Sequence, residues 1–279
     1  MNANRMNSIV RYCTVIVTVS VVGILAIRPS EAADEMLGDR FNLSLGAFFV
    51  TRTNGRVQLD RTAGPVGITA GIDWARDLDG ETSMTVPRVD GFYRFTPKHR
   101  LDYSWYYIDR TGEIATQRDI DFGDASFPAG TTIDSRLATS TTKLAYTYSF
   151  YRAPVIETSV SFGLHVTKIK TKLESDTLGI RQSESRTAPL PVIGFRLDYS
   201  FAPKWWVRSK YDLFFLNSVD TYQGTYGDFV LAVENRTFKH VGFGGGLNVT
   251  NFDLDVSGDS TRGTLSSALS GLMLYVVVR

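Results

Sequence analysis

The sequence predicts an all-β chain, and three observations carry that. Segments of about ten residues alternate apolar and polar side chains with the period-2 signature of strands, and they are rich in Tyr, Phe, Val, Leu and Thr. No helix-period stretch of useful length and no second long apolar run follow Ala33. Tight and long connections alternate along the chain, the tight ones beside aromatic residues.

The elements justify themselves in turn. Leu101, Tyr103, Trp105 and Tyr107 share one face, and Asp102, Ser104 and Tyr106 the other. Leu144, Tyr146, Tyr148 and Phe150 alternate with Ala145, Thr147 and Ser149. Val160, Phe162, Leu164 and Val166 alternate with Ser159, Ser161, Gly163 and His165. Phe195, Leu197 and Tyr199 alternate with Arg196 and Asp198; Val207, Tyr211 and Leu213 alternate with Arg208, Lys210 and Asp212. Val241, Phe243, Leu247 and Val249 alternate with glycines and Asn248. Strands are expected near 41–53, 56–62, 67–77, 84–95, 100–110, 135–150, 154–168, 189–201, 204–217, 226–235, 240–250 and 264–278. Asn54-Gly55 is a two-residue hairpin signal between the first two. Thr62–Pro65 and Asp77–Thr82 read as loops, so ten strands, with 56–86 partly outside the sheet, is the other count. Tight connections fall at Thr96–His99, Tyr151–Ala153, Ala202–Lys204 and Glu234–Lys239; long polar ones fall at 109–136, 168–188, 217–227 and 251–262. Tyr93, Phe95, Tyr148, Phe150, Tyr151, Tyr199, Phe201, Trp205 and Trp206 gather beside the tight turns.

Composition excludes several functions. Thirty Lys and Arg stand against 29 Asp and Glu, which gives no basic field for a nucleic acid. The hydrophobic share of 43% is too high for disorder at so small a net charge. One Cys permits no disulfide framework and no Cys-based zinc site. No metal and no cofactor is expected.

Residues 1–32 read as a cleaved signal peptide. Arg5 and Arg11 form the basic n-region, Val15–Ile27 the apolar core, and Ser30 and Ala32 the small residues before the cut. The apolar run is shorter than the roughly 20 residues that span a bilayer. Cleavage removes Cys13, which suits an oxidising compartment. Residues 33–40 are then a short periplasmic lead-in.

Signal peptide, alternating strands, short turns on one side, long loops on the other and an aromatic girdle together resemble the Gram-negative outer-membrane β-barrels. The likeness covers 41–279. Asp119–Asp124, Phe127–Gly130 and Arg94–Leu101 resemble members of that superfamily with no assigned activity. The resemblance implies a transmembrane antiparallel barrel of about twelve strands in the bacterial outer membrane, exported by the Sec route and inserted by the barrel-assembly machinery. Such barrels resemble one another in a last strand that ends on an aromatic residue. Gly271, Leu274 and Val276 fit that strand, but Val278 stands at the aromatic position and Arg279 follows it.

On that fold the lumen receives Arg88, Asp90, Arg94, Asp102, Lys143, Glu157, Arg196, Asp198, Arg208, Lys210, Asp212 and Glu234, six basic and six acidic. They either line a pore or interlock as a plug. A narrow porin for small solutes is the first expectation, with Arg94, Arg196, Arg208 and Lys210 facing Asp102, Asp198 and Asp212 near a constriction. A structural or interaction barrel with a plugged lumen, whose loops bind lipopolysaccharide or other surface ligands, is the second.

Lys168, Lys170 and Lys172 continue the outward parity of Phe162, Leu164 and Val166, and so form a column suited to lipopolysaccharide phosphates. Loop 109–136 carries six acids and three Arg, and either enters the lumen, binds a divalent cation or is solvated surface. A barrel enzyme acting on lipid comes last, and no enzyme is expected. Of three His, only His165 faces the lumen near the long-loop side, and Ser161 is too far along the strand to be its nucleophile. The glycines of 242–246 have no helix after them; they make room for a bulky lumen side chain or a bend rather than cradle phosphate.

Overall fold

A computed structural model describes residues 39–61, 69–73, 84–117, 119–122, 125–219, 222–257 and 261–279. The signal peptide and most of the lead-in lie outside these residues, as do the loops expected at 62–65 and 77–82. The described chain is all strand and turn. Its elements are β1 (Phe41–Arg61), β2 (Thr69–Asp73), β3 (Met84–Thr96), β4 (His99–Ala115), β5 (Ile120–Phe122), β6 (Ala125–Phe127) and β7 (Thr132–Ala153). They continue with β8 (Ile156–Ser175), β9 (Ile180–Ala202), β10 (Trp205–Val219), β11 (Tyr222–Asn235), β12 (Val241–Ser257) and β13 (Thr261–Val278).

Ten of these strands close into an antiparallel barrel: β1, β3, β4 and β7 to β13, sealed where β13 pairs with β1 from Leu43↔Val278 to Arg61↔Thr261. β2 lies on the edge of β1 beyond β3, outside the ring, pairing Arg56↔Asp73 through Asp60↔Thr69. The structure therefore takes the ten-strand count, not twelve. Asn54-Gly55 makes no hairpin; it runs on within β1, opposite Ala268 and Ser267. The physical reason is competition: β13 offers β1 an unbroken partner edge there, and pairing the backbone outweighs a local turn preference.

The long connections are also shorter than the sequence suggests. β8 runs to Ser175 and β9 starts at Ile180, so 168–188 is mostly strand around a four-residue turn, with Gly179 at φ 64°. Likewise β4 and β7 pair out to Ala115↔Thr132, and the remaining connection holds the small β5–β6 hairpin. Between Gly130 (φ 85°) and Thr116 the turn is fixed by backbone bonds.

Alternation does the rest. Leu45, Leu144, Phe162, Ile193, Leu213 and Leu272 are exposed on the outer wall, while Ser44, Lys143, Ser161, Arg196 and Asp212 are buried inside. Each large apolar side chain held in water forfeits about 1.5–3 kcal/mol of transfer free energy, so a belt of this size requires an apolar medium around it. Tyr93, Phe95, Tyr148, Phe150, Tyr151 and Trp205 stand exposed beside the tight turns, as the girdle requires. Tyr199 and Trp206 are buried instead. Trp206 has the lumen parity of Arg208 and Lys210, which buries it.

Prolines mark where the wall is unzipped. Pro87 stands where the β3–β4 ladder stops, at Arg88↔Tyr106. Pro189 and Pro191 stand just past the last β9–β10 rung, Leu213↔Ile193. Proline has no N–H for a ladder and belongs on strand edges.

Gly244 makes room as expected. A Cβ there would lie 2.1 Å from Cζ of Tyr275, whose ring lies across it from the neighbouring strand. Gly244→Leu is therefore expected to lower the stability of the refolded barrel by about 1–3 kcal/mol, the usual penalty of overpacking. Urea titration checks this, and Gly244→Leu/Tyr275→Ala should recover most of the loss; no recovery would show that the ring is not the obstacle.

Candidate functional site

The barrel interior is filled at three successive levels. Nearest the tight turns, the Arg94 guanidinium donates to both carboxylate oxygens of Glu157, at 2.9 and 3.0 Å, and to the Pro97 carbonyl at 2.9 Å. Ser149 donates to the same carboxylate. Arg236 donates to Glu234 at 2.8 Å and also pairs with Asp39. One level further in, Asp102 accepts Thr147 and pairs with Arg100 (3.1 Å) and Arg196 (3.0 Å). Asp198 pairs with Arg100 (3.6 Å) and Arg208 (3.5 Å), and Arg208 reaches Glu234 at 3.3 Å. Asp212 is shared by Lys143, Lys210 (3.5 Å) and Arg196 (3.7 Å). Arg88 pairs with Asp90 and donates to Asn248 at 2.8 Å; Asn248 and Thr250 donate to Asp228 at 2.7 and 2.8 Å.

These side chains surround a cavity of about 130 Å³, lined among others by Arg88, Asp90, Arg100, Arg196, Asp198 and Lys210. That is room for ordered water between charges, since water is needed wherever buried polar atoms lack a protein partner.

Further from the tight turns the interior becomes apolar. Phe48, Val50, Val86, Ile108, Leu269 and Met273 pack together on one side of the lumen, and Leu190, Val192, Phe214 and Tyr226 on the other. Above them the β5–β6 hairpin packs against the lumen side of β7 and β8. Ile120 and Phe127, 1% and 0% exposed, pack against Ile133 and Leu173. Loop 109–136 thus turns to the lumen side with its apolar residues, not its acids. Asp119 accepts the Ala129 N–H at 2.7 Å within the loop, and the Asp121 and Asp124 side chains lie outside the described set.

Of the residues expected to line a pore, Asp102, Arg196, Asp198, Arg208, Lys210 and Asp212 fall into one continuous ion-pair network. Arg94 stands apart, with Glu157 at the tight-turn end. Sequence reasoning missed Arg100, Asp228, Arg236 and Asp39. Arg100 and Asp228 were readable from parity, since each adjoins an outward apolar residue. Arg236 and Asp39 lie off the strands, where alternation says nothing.

On the outer wall, Lys168 and Lys170 are exposed, just past Phe162 and Leu164, and Lys172 pairs with Glu174 at 2.6 Å. Beside them Arg136 pairs with Asp109. The Arg136 hydrogen bond holds the Asp109 carboxyl below the usual carboxylate range, and Lys172 does the same for Glu174. Both carboxylates therefore stay charged at neutral pH, and of the three lysines of the column Lys168 and Lys170 make no ion pair with a described residue. His165 sits inside, its ring centroid 4.9 Å from that of Tyr226, whereas His99 lies in the outer girdle against Tyr146 and Phe95.

A closed ten-strand barrel with charged lumen, apolar belt and ringed tight-turn end decides the architecture. This is the Gram-negative outer-membrane β-barrel fold. The protein is similar to the outer-membrane protease OmpT of Escherichia coli, at a TM-score of 0.53 and 9% identity over 86% of this chain and 96% of that one. It also matches the translocator domain of the autotransporter NalP from Neisseria meningitidis (0.43, 12%, over 87% and 89%) and OprG of Pseudomonas aeruginosa (0.41, 10%, over 84% and 94%). No protein-family model and no curated protein sequence matches the chain. The likeness to OmpT is one of fold. The apolar belt and the girdle on that fold fit an outer-membrane barrel.

The lumen network makes one prediction. Lys143 and Asp212 are 2% and 1% exposed, and Asp212 serves three cations. Asp212→Ala is expected to cost about 3–5 kcal/mol, as does removal of one partner from a buried pair. Lys143→Met should cost clearly less, because Asp212 keeps Arg196 and Lys210. Urea unfolding of the two variants checks the order; equal losses would contradict the sharing.

Proposed function

We propose that the protein is a closed, non-conducting outer-membrane barrel that acts through its outer surface, with Lys168 and Lys170 holding lipopolysaccharide phosphates. The observation that carries this reading is the filling of the lumen by paired charges, then apolar side chains, then the Ile120–Phe127 hairpin. A conducting pore needs a continuous polar path with charges free to face solutes. Here each expected lining charge already faces a protein partner, so the arrangement supports the plugged reading over the narrow porin.

The lysine column supports the second half of the proposal. Lys168 is opposite Thr187 and Lys170 opposite Ser185, on the outer wall two and four residues beyond Val166. An ammonium near an anionic membrane surface contributes about 1 kcal/mol of attraction. Two together favour a phosphate there without a pocket.

Single-channel recording of refolded protein in planar bilayers is expected to show no discrete steps. Steps that shrink or change selectivity in Arg208→Gln or Lys210→Gln would instead establish the pore. Separately, Lys168→Gln/Lys170→Gln is expected to weaken binding of lipopolysaccharide in a salt-dependent manner, with folding by heat-modifiable gel mobility unchanged. Equal retention by the variant would remove the lysine column from the proposal.

A further inference from the structure

The backbone ladder between β9 and β10 is missing on its outer half. Their ladder runs from Trp205↔Ala202 up to Leu213↔Ile193 and stops. Both strands continue beyond it. β9 stays paired with β8 all the way to Ser175↔Ile180, and β10 with β11 through Leu216↔Gly224. Neither pairs with the other there among the described residues.

The sequence builds this gap. The Ser200 N–H donates to the Val155 carbonyl, on the β8 side, at 2.8 Å. β9 pairs with β8 from Tyr199 to Ile180 without a register shift. Even-numbered N–H groups of β9 therefore face β8, and odd-numbered ones face β10. The two odd positions directly after Ile193 are Pro191 and Pro189. Both lack the donor that the next two rungs would need. Two prolines with the same parity, both on the seam side, halve the hydrogen bonds the zipper could make there without disturbing the β8 ladder.

What lies on either side of the seam defines what enters it. Outside, it opens beside Phe162, Leu164, Ile193 and Leu213, all exposed in the lipid-facing belt. Pro191 is opposite Leu164 and Pro189 opposite Val166, so the gap begins within that belt and ends at the level where Lys168 begins. Inside, the residues behind it are Leu190, Val192 and Phe214, 6%, 1% and 8% exposed, with Tyr226 and Phe252 packed against them. This is an apolar cluster on the lumen side, not the charged network. The proline carbonyls share the direction of the missing N–H groups and face the seam as acceptors. We propose that the β9–β10 seam is a lateral slot that admits one acyl chain of a bilayer lipid, which packs on Leu190, Val192 and Phe214. The medium at the entrance is acyl chain, the wall behind it is apolar, and the prolines remove one of the two hydrogen bonds that each of the next two rungs would make.

The slot goes beyond the lysine column, since its occupant is a lipid tail rather than a headgroup phosphate. The test uses the refolded barrel in phosphatidylcholine vesicles carrying a phosphatidylcholine with an acyl-chain diazirine, without lipopolysaccharide. Adducts are mapped by peptide mass spectrometry after illumination. Adducts on the lumen-facing Leu190, Val192 and Phe214 are expected in the native sequence. They should be lost in Pro189→Val/Pro191→Val, which restores both donors and lets the ladder zip, and they should persist in Lys168→Gln/Lys170→Gln. Should the double proline variant fail the heat-modifiability test for folding, Leu190→Trp keeps the prolines and places a bulkier side chain behind the seam. Loss of adducts on Val192 and Phe214 in that variant supports the slot equally. Adducts confined to outward residues such as Phe162, Ile193 and Leu213, or lumen adducts that survive both the folded proline variant and Leu190→Trp, would overturn it.

Discussion

Everything in this structure depends on the pairing of backbone groups in a medium without water. In lipid an unpaired N–H or C=O costs several kcal/mol, so the chain has to close on itself. The β1–β13 ladder is that closure, and it explains why β1 runs past Asn54-Gly55 without turning. Once the ring is closed the side chains have no choice of direction. Every second residue faces lipid and every other one faces the lumen, so a wall that is apolar outside carries its charges inside. The polar interior is thus a consequence of closure before it is a feature of function.

A ten-strand ring leaves little room for such an interior. Twelve or more charged groups within it cannot stay apart, and a charge in a low-dielectric space has to be compensated. The solution is sharing: Asp212 serves Lys143, Lys210 and Arg196, and Asp102 serves Arg100 and Arg196. A network of this kind braces strands that are far apart in sequence, such as β4 with β9 and β7 with β10. It also differs from the lining of a conducting channel, where charges hold solutes only weakly. Toward the outside the same lumen positions switch to Phe48, Val86, Ile108, Leu190 and Phe214, and the interior changes from an electrostatic brace to an apolar core.

The parts of the fold that were legible in the sequence are those where two solvents meet. Within the membrane one face sees lipid and the other sees charge, so the alternation of Leu144, Tyr146 and Tyr148 with Ala145 and Thr147 could not be missed. The lumen assignment of Arg196, Asp198, Arg208, Lys210 and Asp212 followed from the same contrast. Above the membrane the outer face of β8 carries Lys168, Lys170 and Lys172 instead of apolar residues, the apolar-outside contrast disappears, and 168–188 reads as loop although it is mostly strand. Partner choice was illegible for a different reason. Parity puts Arg94 inside but cannot say that it meets Glu157 and not Asp102, because that depends on the stagger of the strands. Arg236 and Asp39 meet from outside the strands altogether.

The prolines show how a small covalent change can separate stability from access. A ladder that could zip would have to break hydrogen bonds before anything passed between two strands. At Pro189 and Pro191 half of those bonds were never available, so an opening there costs less than it would along a full ladder. The brace around Asp102, Asp198 and Asp212 spans β4, β9 and β10 on the tight-turn side of the last rung, Leu213↔Ile193, and holds that half rigid. The β8–β9 ladder carries the outer half of β9 by itself. A wall firmly tied below and untied above, with charge behind the tied part and apolar side chains behind the untied part, divides one barrel into a sealed half and an accessible half. The boundary between them is drawn at Ile193, by the residue types that follow it toward the outer surface.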